Sequence, residues 1–243
     1  ISTFECVSCA NVCEINKVEI ENEKPLFYGG RCEKWEKRDV RCDTRYVIPD
    51  LYKEREAIIF AKKTKHGKKR IGIPRVLFFY EQFPFWNTFF SSLGLKVILS
   101  SPSNHKTVEA SQGNTSAEAC FPITLAHGHI QELIDEKPDF IFLPSLIDAE
   151  KASDKFSESF HCPFIQALPY FAKSGIKFGP EIKVLTPALE PQRGKNFFTR
   201  QLIKLGKELG KSRKEAIKAI HAADKEQQKA KKQIKKRGRE ILK

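Results

Sequence analysis

The sequence predicts an α/β protein: a mostly parallel, doubly wound sheet, with a small cysteine-rich, metal-binding hairpin before it and a basic helix after it. Three observations carry this. Ile71 to Phe79 (IGIPRVLFF) is a nearly continuous apolar run, as in strands buried on both faces. Strand-like and helix-like stretches alternate from there to Leu185. Five of the seven cysteines crowd the first 42 residues.

Residues 1–45 form the cysteine-rich piece. Val18 and Ile20, then Leu26, Phe27 and Tyr28, surround the break Glu23-Lys24-Pro25, and Gly29-Gly30 closes the run, which describes a short hairpin between two cysteine corners. Residues 46–70 read as a basic linker, because Lys62 to Arg70 (KKTKHGKKR) holds six basic residues and no apolar one. Residues 71–191 make the α/β domain. After its first strand a helix is expected with Pro84 in its first turn, Phe85, Phe89, Phe90 and Leu93 at helical spacing, and Gly94 as its stop. Lys96 to Ser100 is the second strand, Pro122 to Glu136 a helix, and Asp139 to Leu143, Phe164 to Leu168 and Lys183 to Leu185 are three more strands. Residues 192–243 read as helix, with a stop at Leu209-Gly210 and a new start at the capping box of Ser212 and Glu215. The apolar seam of that last helix is narrow: Ile217, Ile220, Ala223, Ala230, Ile234 and Ile241. It reads as mostly exposed or docked on a partner.

Charge is distributed unevenly. The chain of 243 residues carries a net charge of +13, but residues 195–243 hold 17 basic and 5 acidic side chains and account for nearly all of it. A near-neutral body with a basic tail makes a weak case for nucleic acid, which is not an expected partner. No stretch approaches the roughly 20 apolar residues of a membrane span, and no secretory pattern opens the sequence, so a cytoplasmic protein without a membrane partner is expected.

Clustered cysteines without a secretory signal read as a metal site rather than a disulfide framework. Cys6, Cys9 and Cys13, followed by Gly29-Gly30-Arg31-Cys32, can supply four soft thiolates, which suit either zinc or an iron-sulfur cluster. Cys42 is a spare thiol or an alternative fourth ligand, and the Gly-Gly-Arg-Cys corner favours Cys32. Cys120 precedes Pro122 at an expected helix start, where amides and the helix dipole favour a thiolate. Cys162 precedes Pro163 just before the fourth expected strand, and doubly wound folds place ligands at such sheet ends. His127 and His129 lie two apart, hence on nearly opposite helix faces, and cannot chelate one ion together. One of them could face the sheet end; packing is the plainer reading. The aromatic cluster Phe78 to Phe90 has helical spacing and lacks interleaved Lys or Arg, which says core rather than base stacking. The sequence holds no Gly-x4-Gly-Lys-Ser/Thr, no Gly-x-Gly-x-x-Gly after the first strand, no Gly-x-Ser-x-Gly and no His-Glu-x-x-His.

Ile71 to Ser100, with Cys120-Phe-Pro and Leu125-Ala-His-Gly-His129 after it, resembles the activase-like proteins of the 2-hydroxyacyl-CoA dehydratase system. The amino-terminal Cys-x2-Cys-x3-Cys with its Gly-Gly-Arg-Cys-Glu-Lys corner fits the same proteins, so the resemblance runs from Cys6 to about Leu189. In that family such a domain lies downstream of ATPase modules and is related to iron-sulfur dehydratase subunits. The resemblance implies ATP-driven delivery of low-potential electrons to a dehydratase-like reaction. It also implies two partners, an ATPase activator module and a dehydratase-type component, on the same polypeptide or another. By position, Cys120 and Cys162, with His127 and His129 nearby, look like residues offered to a cluster between lobes. Related lobes often place another cysteine after the strand ending at Leu143, where this chain has Ser145. The competing expectation is a noncatalytic assembly module in which zinc only staples the cysteine-rich piece.

Overall fold

The computed structural model describes residues 1–32, 34–35, 49–61, 67–112, 119–151, 153, 155 and 157–242. Cys42 and Lys62 to His66 lie outside the described residues. The amino-terminal piece is a three-stranded antiparallel sheet of β1 (Ser2–Glu5), β2 (Glu14–Val18) and β3 (Leu26–Tyr28), in that spatial order. Lys17 pairs with Phe27, so the hairpin lies where the alternating residues place it. Phe4 packs edge to face on Phe27 and on Trp35, 5.0 Å from the latter centroid to centroid, and Phe27 and Trp35 meet at a tilt, giving a piece too small for a core its own aromatic cluster.

The stretch read as a linker contains α1 (Leu51–Ile59), capped by Asp50, whose carboxylate accepts from the Lys53 amide at 3.1 Å. The body follows as β4 (Lys69–Ile73), α2 (Phe79–Ser92), β5 (Leu95–Leu99), α3 (His105–Gln112), α4 (Phe121–Asp135), β6 (Phe140–Phe142), β7 (Ser145–Leu146), α5 (Pro163–Gly175), β8 (Lys183–Leu185) and β9 (Ala188–Leu189). A 3₁₀ turn at Pro191–Arg193 leads to α6 (Lys195–Glu208) and α7 (Arg213–Ile241). Four strands form a parallel sheet in the order β5-β4-β6-β8; β7 and β9 pair in parallel beside it.

Helices cover both faces of that sheet, and strand alternation decides which side chain meets which face. Ile71, Ile73, Phe140, Phe142 and Leu185 enter one apolar cluster with α1, α2, α6 and α7; Ile141 and Leu143 enter a second with Ile130 and Leu133 of α4, Ala172 of α5 and Ile176 just after it. Gly72 carries no Cβ on this second side, which lets Leu133 of α4 lie directly on β4. The aromatic residues of α2 are core as their spacing indicates: Phe79, Trp86, Phe89 and Phe90 are fully buried, and Trp86 lies 4.6 Å from Phe142, centroid to centroid.

Three sequence expectations are corrected. Phe164 to Leu168 is the start of α5, not a strand. A short apolar run does not separate strand from buried helix, and the parallel pairing of β6 with β8 requires a crossover, which α5 supplies. The apolar run from Ile71 leaves the sheet after Ile73, and α2 begins at Phe79, so Pro84 lies inside the helix instead of in its first turn. Gln227 of α7 spans that point: it accepts from the Phe85 amide at 3.1 Å and donates to the Glu81 carbonyl at 2.6 Å, lying across an i, i−4 pair of the turn beside Pro84.

The surface on which α7 docks belongs to this chain. Ala216, Ala219, Ile220, Ala223 and Ala230 are buried, and the helix lies along α2, with α6 and α1 at its flanks. Small side chains suffice here because they let helix backbones approach closely; the Ala216 Cβ stands 2.9 Å from where a Cβ on Gly206 of α6 would be. The Ser212–Glu215 capping box starts α7, and Gly94 and Gly210, at φ 80 and 75, follow α2 and α6 as left-handed stops. Near its other end Arg237 grips Glu54 of α1 with two guanidinium nitrogens. Among the described residues no helix is long and apolar enough to cross a membrane.

Candidate functional site

The amino-terminal thiols sit at the ends of the small sheet. Cys6 follows β1 and Cys13 precedes β2; the Cys6 amide donates to the Cys13 carbonyl at 2.8 Å and closes the loop that carries Cys9. Gly29 leaves β3 at φ 98, where a Cβ would fall 2.5 Å from the Glu14 carbonyl oxygen, so glycine alone lets the Gly29-Gly30 corner cross β2 on the way to Cys32. The Trp35 indole donates to the Cys6 sulfur at 3.2 Å. That bond, with the side chain and amide of Ser8, brings the Cys6 thiol down to about 7, well toward thiolate. Cys6, Cys9, Cys13 and Cys32 are all free thiols; Cys6 is buried, Cys13 half-buried, Cys9 and Cys32 exposed. Among the described residues no three His, Cys, Asp or Glu side chains are gathered closely enough to hold a metal ion. The donor chemistry thus suits a soft metal, while the sulfurs are not assembled around one point.

The carboxyl end of the parallel sheet collects the second set of candidates. Cys120 is the N-cap residue of α4 and Cys162 that of α5, each with extended ψ (151 and 139) and no side-chain cap bond. Their carbonyls accept the first helical amides, Ile123 to Cys120 and Ile165 to Cys162, both at 2.9 Å. Both thiols are exposed. A single apolar cluster (Val76, Ile123, Ala126 and Leu168, with Leu77, Ala119 and Ile165) ties the two helix starts together. Ser145 sits behind this end and donates to the Gln166 carbonyl of α5 at 2.6 Å.

The two histidines of α4 are core residues. His127 is 2% exposed and His129 0%. His127 bonds the Ile123 carbonyl through Nδ1 at 2.9 Å, and His129 Nε2 lies 2.9 Å from the Ser103 hydroxyl. Burial lowers the His129 imidazole to about 4, with Glu132 opposing the shift and Arg75 reinforcing it, so the ring is neutral at physiological pH. Gly128 between them lies against Thr107 and Ser111 of α3.

Sequence reasoning missed the crevice beside these groups. The chain steps from β4 first to β5 and then across to β6, so the switch point of the sheet lies between β4 and β6, where doubly wound folds bind ligands. A cleft of about 380 Å³ opens in the loops that follow these strands. It is lined by Leu77 and Phe78 from the β4–α2 connection, Tyr80 and Glu81 from the first turn of α2, His161 just before α5, Ile165 from its first turn, and Arg55 from α1. Arg55 stacks on the Tyr80 and Tyr52 rings, 5.6 and 5.8 Å from their centroids, and Arg75 on Phe60 at 4.3 Å. Burial raises the Tyr80 phenol above its ordinary value. These residues come from three distant parts of the sequence, one inside the stretch read as linker. The local signal at the crevice was Pro163, which marks an element boundary after His161-Cys162.

The family described as CoA enzyme activase uncharacterised domain matches residues 70–243. The chain belongs to this family. The match takes in the whole parallel sheet, the crevice residues from Leu77 onward and both carboxyl-terminal helices, so α6 and α7 are part of the activase domain. The sheet with Cys6, Cys9, Cys13 and Cys32, and helix α1 with Arg55, precede the matched region. No curated protein and no solved structure matches the chain.

Proposed function

We propose that this activase-type domain takes part in ATP-driven delivery of low-potential electrons to a 2-hydroxyacyl-CoA dehydratase-like reaction, with a metal–thiolate centre on Cys6, Cys9, Cys13 and Cys32. The observation that carries the reading is membership of the CoA enzyme activase domain family over residues 70–243. Two features support it: four free thiols in one small sheet, with Cys6 already easily ionised, and two further exposed thiols at the helix starts of the sheet's ligand-binding end. An iron-sulfur cluster bound by such thiolates would supply one-electron chemistry at low potential. By the family resemblance, ATP hydrolysis is assigned to an activator component and the reduction to a dehydratase-type partner.

The test is metal, sulfide and visible-absorption analysis of the full chain purified without oxygen. Brown protein containing iron and sulfide, lost in Cys9→Ser and in Cys32→Ser, is the expected result. Full metal content in both variants refutes the ligand assignment. Colourless protein containing zinc moves the reading to the zinc-stapled assembly module.

A further inference from the structure

The crevice at the switch point holds buried polar nitrogens that pair with nothing among the described residues. Arg55 Nε and His161 Nε2 are buried and have no hydrogen-bond partner among the described residues. Arg75 Nε is in the same condition, and its guanidinium packs against Phe60 and Phe79 with its charge acting on Tyr80. Buried donors of this kind carry a desolvation cost that an accepting ligand would remove. Helices α2 and α5 both begin here, through Phe78 and Ile165, so the positive ends of two helix dipoles converge on the same space. The acids nearby are Glu81, exposed in the lining, and Glu56, whose charge reaches Tyr80. Neither accepts from Arg55 Nε.

The geometry points to a binding site for the phosphoryl group of a small-molecule ligand, gripped by Arg55 and His161, with Leu77, Phe78 and Ile165 against the organic part. A planar guanidinium presents paired donors that match a phosphoryl group, and helix amino ends favour a dianion. Among the described residues no three His, Cys, Asp or Glu side chains gather at the cleft to hold a metal ion. A volume of about 380 Å³ accommodates a pyrophosphate with part of an attached group. The proposal is independent of electron delivery: it stands if the amino-terminal thiols bind no metal.

Calorimetric titration of the full chain at low salt tests it, using inorganic pyrophosphate, ATP, CoA and phosphate-free pantetheine. Pyrophosphate is expected to bind and pantetheine not to. Arg55→Gln and His161→Gln should each weaken pyrophosphate by about tenfold or more, the value of a charge-assisted hydrogen bond. Lys235→Gln/Lys236→Gln, on the basic face of α7, should change affinity less than about twofold, which separates the crevice from general attraction to the basic tail. Equal affinity for pyrophosphate, ATP and CoA supports recognition of phosphoryl groups alone; tighter binding of ATP or CoA supports it and identifies the organic part. Thermal midpoints check folding, and Arg55→Lys, which keeps charge but loses the paired donors, serves where Arg55→Gln does not fold. No heat with wild type, unchanged affinity in the Arg55 and His161 variants, a loss that follows the lysine variant instead, or pantetheine binding as tightly as CoA overturns the proposal.

Discussion

Replacing Gln227 by leucine tests how α7 is held to the sheet domain. The Gln227 amide makes two hydrogen bonds to α2 next to Pro84, one from the Phe85 amide and one to the Glu81 carbonyl. Leucine removes both with little change in helix propensity. The Glu81 end is exposed, so water replaces its bond at small cost; Phe85 is 7% exposed, and its amide loses a partner in a setting where an unsatisfied donor costs about 1–3 kcal/mol. The expected net loss is about 1.5 kcal/mol, or roughly 3–6 °C in thermal midpoint for a chain of this length. Urea denaturation followed by helical circular dichroism measures it. The decisive comparison is a double-mutant cycle with Pro84→Ala. That change restores a regular turn in which the Phe85 amide can reach the Glu81 carbonyl directly, so Gln227→Leu should then cost less than about 0.5 kcal/mol and the pair should couple by about 1 kcal/mol. Equal losses in both backgrounds would show that Gln227 does not compensate for the proline.

Three further outcomes follow from the surroundings of particular residues. A Cβ added to Gly128 would sit 2.0 Å from the Thr107 carbonyl oxygen and 3.2 Å from the Ser111 amide, so Gly128→Ala must push α3 off α4. A net loss of about 2 kcal/mol or more is expected despite the gain in helix propensity. Gly238→Ala, with nothing within 4 Å of its Cβ position, should instead gain up to about 1 kcal/mol. Urea midpoints in which Gly128→Ala equals wild type would refute the α3–α4 packing. For His129, burial lowers the folded-state value from 6.5 to about 4, so the unfolded chain takes up a proton first as pH falls. Stability is therefore full above pH 6.5 and declines toward pH 4, by about 2 kcal/mol between pH 7 and pH 5. His129→Gln should flatten that part of the urea-midpoint profile, and an unchanged slope would place the titration elsewhere.

Much of the architecture was legible because it is local. The hairpin, the strands near Lys96, Asp139 and Lys183, the glycine stops after α2 and α6 and the Ser212–Glu215 cap are each written within a few residues by alternation, left-handed glycine or capping chemistry. The positions of Cys120 and Cys162 at the ends of elements were legible for the same reason, since a following proline marks a boundary whichever element comes next. That is also why the element after Cys162 was misread: Phe164 to Leu168 is apolar in either conformation, and only the demand for a crossover between parallel strands makes it helix.

By itself the sequence determined the α/β class, the strands near Lys96, Asp139 and Lys183, the helix starts and stops marked by caps and glycines, and the set of residues able to carry thiolate chemistry. The tertiary structure decided three things. The thin seam of α7 is a core contact because α2 and α6 offer surfaces close enough for alanines to fill. The histidines of α4 are core residues because α3 packs against α4, and burial makes His129 neutral. The switch-point crevice brings Arg55, Tyr80 and His161 together because strand order sends the chain to opposite sides of β4. These contacts join residues tens of positions apart, and no periodicity or local motif encodes a distance across the fold.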